Sequence, residues 1–251
     1  LDKSVAKLVK VMEAVASHGD RGAGTTEIAR QIDWPKGTAS RVLTSLEEYG
    51  LLERDVVSKA YRIGPQVLKW ASALVSPGAR QHAVRARMAE FAGSAHLCVY
   101  LCELIGTQIV CTDVAYPPLS NRYFARVGAV MPLNAAAAAK VIGAFLPSDQ
   151  LEELIAKCPF DRLTDKTLTD PAALRRDLEQ VQGRRYATCY EEMEPGVAAF
   201  SVPVMLDGSG ASLSVVGSAR DFKKNQSSIL QSLRELAVEI EAFSLVPGGH
   251  R

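Results

Sequence analysis

The sequence predicts an α+β protein in two parts, and three observations carry that prediction. Residues 3–63 read as three helices followed by two short strands around a polar turn. Residues 79–251 mix helical periodicity with strand-like runs, the pattern of a sheet covered by helices. Between them Ser76-Pro77-Gly78 is the clearest break in the chain. The expected divisions are residues 1–65 for the first domain, 66–78 for a linker helix and 79–251 for the second domain.

The first part begins with a periodic stripe of Val5, Leu8, Val9, Met12, Val15 and Ala16, one helix ending near His18-Gly19. After a glycine-rich bend, Thr25 or Thr26 is placed to N-cap a short helix through Ile28, Ala29 and Ile32. Asp33-Trp34-Pro35 breaks it, and a third helix runs from Pro35 to Tyr49, stopped by Gly50. Leu51–Arg54 and Ala60–Ile63 read as a hairpin turning at Val57-Ser58-Lys59.

On the third helix Ala39, Val42, Leu43 and Leu46 share one face. Gly37, Arg41, Thr44 and Glu48 lie opposite, flanked by Thr38, Ser40 and Ser45. A short helix, a tight turn and a helix with an exposed Ser/Thr/Arg face is the way a helix-turn-helix meets the major groove. Arg41 reaches guanine O6/N7, and the short Thr38, Ser40 and Thr44 let the backbone come close. A solvated helix face has the same amphipathicity. The hairpin carrying Arg54, Lys59 and Arg62, a wing suited to the phosphate backbone, favours the DNA reading. The candidate DNA contacts are Thr25, Lys36, Thr38, Ser40, Arg41, Thr44, Arg54, Lys59 and Arg62. Residues 1–75 hold 11 Lys/Arg against 9 Asp/Glu, so charge alone does not establish the site.

Gln66–Val75 reads as a connecting helix, and the second part opens on a helix at Ala79–Ala95 with Val84, Met88, Phe91 and Ala92 on one face. Strands are expected at Leu97–Glu103, Gln108–Val114 and near Asn121–Ala125. Pro132-Leu133-Asn134 opens a helix of small residues through Ile142. Helices at Ser148–Lys157 and from Asp170-Pro171 to Gly183 follow, the latter with an Asp N-cap and Pro at N1. Strands at Tyr186–Glu191, Ala198–Val204 and Ala211–Ser218 lead to a closing helix lined by Ile229, Leu233, Leu236, Ile240 and Phe243.

Composition narrows the function. With 47% apolar and 23% charged residues, the 251-residue chain is globular, neither disordered nor fibrous. No apolar run approaches the roughly 18–20 residues of a membrane helix. The chain opens on a charged periodic helix, not a signal peptide, so a cytoplasmic protein is expected. A net charge of +1 excludes a uniformly basic coat but allows a local patch. Five cysteines, Cys98, Cys102, Cys111, Cys158 and Cys189, form no C-x-x-C and point to free thiols in a reducing compartment. His96, Cys98 and Cys102 would share one face of a strand, but buried apolar packing is the commoner fate of Cys, and neither metal nor cofactor is expected.

Several segments carry a resemblance. In the first part they are Lys3-Ser4-Val5, Trp34 to Leu43, Leu51-Leu52-Glu53-Arg54 and Tyr61-Arg62-Ile63-Gly64-Pro65. In the second they are Arg126-Val127-Gly128, Met131 to Ala135, Lys140, Thr167 to Asp170, Glu191-Glu192, Pro195-Gly196-Val197 and Leu213-Ser214-Val215. In this order and spacing they resemble the IclR family of transcription regulators over nearly the whole chain. The resemblance implies a winged helix-turn-helix joined by a linker helix to a GAF-like effector domain with a curved antiparallel sheet flanked by helices. It implies a homodimer or homotetramer on double-stranded operator DNA, and a small organic acid that changes operator affinity. It also implies effector contacts at Ala137, Ala138, Cys189, Ala199, Ser214 and Val216. Asn134, Ala135 and Leu213 complete the candidate set. Free N–H groups at a helix start bind an anion, and alanines let it approach the backbone. Where small-keto-acid sensors of the family carry an Asp and a second Ser, this chain has Cys189 and Val216, so a larger, aromatic carboxylate is expected over glyoxylate or pyruvate.

Three other readings compete. Glu191, Glu192 and Glu194 could pair for acid–base work, but His18, His82, His96 and His250 sit in no nucleophile or metal motif, so no enzyme is expected. The alternative reading is a thiol redox sensor or reductase using Cys98, Cys102 and Cys111 on a GAF-like scaffold. A helix-turn-helix used only for protein contact is the third possibility.

Overall fold

The computed structural model describes residues 3–74, 79–118, 123, 125–206 and 208–245. It divides the chain into two units, Leu1–Pro77 and Gly78–Arg251. The expected strand near Asn121–Ala125 and the Ser76-Pro77-Gly78 break lie largely or wholly outside the described residues.

In the first unit α1 (Lys3–Ala16), α2 (Thr25–Gln31) and α3 (Lys36–Glu48) precede the antiparallel pair β1 (Leu52–Arg54) and β2 (Tyr61–Ile63), followed by α4 (Pro65–Leu74). Val11, Val15, Ile28, Ile32, Leu43, Leu46, Leu52 and Tyr61 form its core. Ala23 pairs with Tyr61 through two backbone hydrogen bonds, 2.8 and 3.1 Å, tying the α1–α2 connection to the hairpin. The stripe expected on α1 needs correction. Val11, Ala14 and Val15 are buried, whereas Val5, Leu8 and Val9 are 58, 42 and 50% exposed and Ala16 is exposed. Within this unit only the C-terminal half of α1 is covered. Thr25 and Thr26 are not N-caps either: Gly24 takes that place with no side-chain bond, and Thr25 is the first helical residue.

In the second unit β3 (Cys98–Ile105), β4 (Gln108–Ala115), β5 (Ala187–Tyr190), β6 (Val197–Leu206) and β7 (Ser209–Ser218) form one antiparallel sheet in the order β4-β3-β7-β6-β5. One face packs on α5 (Ala79–Ala95), α9 (Ala219–Lys224) and α10 (Gln226–Leu245); α9 was not foreseen. This core holds Met88, Phe91, Phe200, Leu213, Phe222, Leu233 and Ile240. The other face lies under α6 (Ala137–Ala144), with α7 (Ser148–Lys157) and α8 (Pro171–Arg184) packed outside it. The Asp170 carboxylate accepts from the Ala173 N–H at 2.8 Å and Pro171 takes the first helical position, as the sequence indicates. At Gly217 an added Cβ would sit 2.6 Å from the Phe222 ring, so glycine is what lets α9 close on the sheet. No helix among the described residues is long and apolar enough to cross a membrane.

Candidate functional site

In the first unit α3 buries Ala39, Leu43 and Leu46 against the core, and Val42 is half-buried. This turns Lys36, Arg41 and Thr44 out to solvent, with Thr38 and Ser40 half-buried at the edges of that face and Thr25 half-buried at the start of α2. Arg41 makes no ion pair or hydrogen bond with another described residue. The hairpin beside it is stiffened at its tip. The Asp55 carboxylate accepts from the N–H of Val57 at 3.1 Å, the N–H of Ser58 at 2.7 Å and the Ser58 hydroxyl at 2.8 Å. Those bonds, the Ser58 N–H first, hold its pKa below the usual carboxylate range. Lys59 follows with a positive φ of 59° and its side chain exposed. Arg54 is exposed and lies over the Tyr61 ring. Arg62 is more engaged than the sequence suggests: it is half-buried, with Nη1 3.9 Å from Asp55.

In the second unit the cross-strand register sets out the sheet face under α6 as three rows. Cys98, Val216, Ala199 and Cys189 form one; Tyr100, Ser214, Ser201 and Ala187 the next; Cys111, Cys102 and Ser212 the third. All are buried. The Ser201 and Ser214 hydroxyls bond to each other at 2.5 Å. The register brings Cys189, Ala199, Ser214 and Val216 together as expected, and rejects Leu213. Side chains alternate along a strand, so Leu213, one residue from Ser214, points to the opposite face and packs with Leu101 and Val202 in the core beneath α5 and α10. Tyr100, Ser201 and Ser212 were missed. The signal for the two serines was present in the same alternation, counted from Ala199 and Val216.

The helix over this face starts later than expected. Asn134 and Ala135 lie in a turn, Ala136 is the N-cap in extended conformation, and Ala137 is the first helical residue. Asn134 is a structural tie: its amide donates to the carbonyls of Asp161 at 3.2 Å and Leu168 at 2.8 Å. The Ala135 and Ala136 N–H groups bond to the Pro132 carbonyl and that of Lys140 to Ala136. Those of Ala137, Ala138 and Ala139 have no acceptor among the described residues, although all three residues are 0% exposed. Buried N–H groups without partners are rare.

One turn further along, Lys140 is 2% exposed and bonds to Asp177 of α8 at 2.8 Å and to Glu192 at 2.6 Å. Burial opposes its charge, but the two carboxylates outweigh it and raise its pKa; for Glu192 burial outweighs the ammonium and its pKa also rises. The Thr164 and Thr167 hydroxyls donate to the carbonyls of Glu191 and Glu192, each at 2.7 Å, fixing the loop that follows Cys189.

Cys98, Cys102, Cys111 and Cys189 are free, buried thiols. Burial pushes Cys98 up to about 12 and Cys189 up to about 11, and raises Cys102; Cys111 is held somewhat low by the Cys102 thiol but is fully buried. His96 sits before β3, exposed, at a positive φ of 53°, apart from the cysteine rows.

A surface helix with free Arg and Thr side chains next to a stiffened hairpin, and a second unit with a buried polar sheet face under a helix start, together define a helix-turn-helix regulator with an effector-type domain. The chain matches the IclR helix-turn-helix domain over residues 4–56 and the bacterial transcriptional regulator IclR C-terminal domain over residues 78–242. It belongs to the IclR family of transcription regulators, which are not enzymes. Among relatives, the HTH-type transcriptional regulator BhcR of Paracoccus denitrificans is 30% identical over 90% of this chain and 82% of its own length. The glycerol operon regulatory protein of Streptomyces griseus is 32% identical over 74% of this chain and 72% of its own. Among solved structures, an IclR homologue from Microbacterium hydrocarbonoxydans complexed with 4-hydroxybenzoate is 26% identical, covers 95% of this chain and 98% of its own, and superposes with a TM-score of 0.75. These relatives are regulators, and they give no support to the thiol redox reading.

Proposed function

We propose that this regulator reads operator DNA with the outer face of α3, using Arg41, Thr38, Ser40 and Thr44 toward bases and Lys36, Thr25, Arg54, Lys59 and Arg62 toward phosphates. In the same reading it binds an aromatic monocarboxylate under α6. The observation that carries the effector site is the trio of buried, unpaired N–H groups at Ala137–Ala139, which suit a carboxylate at the positive end of a helix. Cys189, Ala199 and Val216 supply a weakly polar wall for a ring, and Tyr100, Ser201 and Ser214 supply hydroxyls for a ring substituent. The relative solved with 4-hydroxybenzoate supports that class.

Ala138→Leu is expected to fill the helix start and abolish binding of 4-hydroxybenzoate measured by calorimetry, while operator binding persists and no longer responds to the ligand. Unchanged affinity for the ligand would place the site elsewhere. Arg41→Ala is expected to cost roughly 1–3 kcal/mol on a specific duplex and to relax selectivity at one base pair per half-site. Lys59→Ala is expected to weaken specific and random duplexes alike and to flatten the salt dependence. Equal losses on both duplexes for Arg41→Ala would remove it from base reading.

One winged helix covers too little groove for tight specific binding, so a homodimer on two half-sites is part of the proposal, with α4 contributing to the contact. Leu68 and Trp70 on α4 are 73 and 58% exposed in the single chain, which fits such a role. Sedimentation as a monomer at micromolar concentration, with and without operator, would contradict it. Neither unit has a membrane-spanning helix among its described residues, in keeping with a cytoplasmic regulator.

A further inference from the structure

Between the loop of residues 191–196 and the start of α9 and α10 opens a cleft of about 690 Å³, within the size range of small-molecule sites. It is not the face under α6: none of Ala137, Ala138, Ala199 or Ser214 lines it. Arg220 and Lys223 line one wall, three residues apart and so on one side of α9. Lys166 lines it as well, from the loop before α8.

These three cations meet one carboxylate in the lining, Glu191, and that carboxylate is already engaged. Lys166 forms an ion pair with it and the Gly196 N–H donates to it at 2.9 Å; together they hold its pKa below the usual range, the Lys166 bond first. Arg220 and Lys223 have no ion-pair or hydrogen-bond partner among the described residues. Ser218, also in the lining, makes no side-chain capping bond to α9. Tyr190 donates to Gln226 Oε1 at 3.2 Å, so the Gln226 amide nitrogen remains as a further donor. The cleft therefore offers donors and an excess of two positive charges. A cleft lined by one sign of charge concentrates counter-ions of the other.

We infer that this cleft is a second anion site for a small anion with two acidic groups, one held by Arg220 and Lys223 and the other reaching toward Lys166. Two acidic groups can come from a dicarboxylate or from a diphosphate, and separate probes tell them apart.

The test is calorimetric titration of the full chain at low ionic strength with succinate and, separately, with inorganic pyrophosphate. Saturable binding of one of them, one per chain, is expected, weakening as salt is added. Arg220→Gln with Lys223→Gln is expected to weaken it about tenfold or more. Ala138→Leu is expected to leave it unchanged. Absence of saturation for both probes would overturn the inference, as would unchanged affinity in the double variant. Loss of binding in Ala138→Leu would overturn it too, by merging this site with the one under α6; failure of that effector site alone would leave the titration unaffected.

Discussion

Replacing Lys140 with Met is expected to destabilise the second unit by about 3–5 kcal/mol, the cost of leaving a buried ion pair without one partner. The ammonium is 2% exposed and is shared between Asp177 and Glu192, at 2.8 and 2.6 Å. Without it two partly buried carboxylates, 24 and 14% exposed, face each other, with Arg184, 3.9 Å from Asp177, as the remaining ion-pair partner among the described residues. Met keeps most of the apolar stem of lysine, so little of the effect comes from lost volume. Glu192→Gln removes the less favourable charge and keeps an oxygen toward Lys140, so a cost of about 1 kcal/mol is expected. The pH dependence gives an independent check. Glu192 has its folded pKa raised above 4.5, so the folded state binds the proton more tightly than the unfolded one. Its contribution to stability then falls as pH rises through the interval above 4.5, and Glu192→Gln should abolish that fall. Chemical denaturation across pH reads both effects. A Lys140→Met variant as stable as the parent would mean that the cluster does not hold α6 to α8 and the loop after Cys189.

Gly64→Ala is expected to cost about 3 kcal/mol in the first unit. A Cβ on Gly64 would lie 2.3 Å from the Gly50 carbonyl oxygen and 2.8 Å from the Leu52 carbonyl carbon. Both are backbone atoms with no rotamer by which to move away. The same close approach carries the bonds from the Gly64 N–H to Leu51 at 2.8 Å and from the Gln66 N–H to Gly50 at 3.1 Å, which join the end of α3 to β2 and α4. The substitution should therefore loosen the hairpin that carries Arg54 and Lys59. Hydrogen exchange should speed in residues 36–63, with β3–β7 as the internal reference. Unchanged protection there would show that the strands tolerate the extra carbon.

The elements whose periodicity comes from one covering layer were legible in the sequence. On α3, Ala39, Leu43 and Leu46 had to be inside, and Arg41 and Thr44 outside, because a single core packs against it. On α5 the face of Val84, Met88, Phe91 and Ala92 was read correctly for the same reason. The first half of α1 was not, because its apolar residues are equally regular but this unit covers only the second half. At the candidate effector site the strands were legible and their facing was only partly so. β7 is covered on both faces, so Leu213 and Val216 are equally apolar and hydrophobicity does not separate the two sides. Only the count along the strand does. The start of α6 was misplaced because Pro132-Leu133-Asn134 also suits a turn, and alanines leave no mark of where helix begins. Lys140 could not be paired from sequence, since its partners are 37 and 52 residues away.

The most direct test of the account is the affinity for 4-hydroxybenzoate measured by calorimetry with and without a saturating duplex that the protein itself has selected from a random-sequence pool. Any influence of the face under α6 on DNA binding has to arise from different affinities of the ligand for different states of the protein, and such coupling is reciprocal. The predicted result is an affinity changed about 5–150-fold by the duplex, matched by the same factor in duplex affinity when the ligand is added. No binding of 4-hydroxybenzoate, or an affinity indifferent to the duplex, would contradict it.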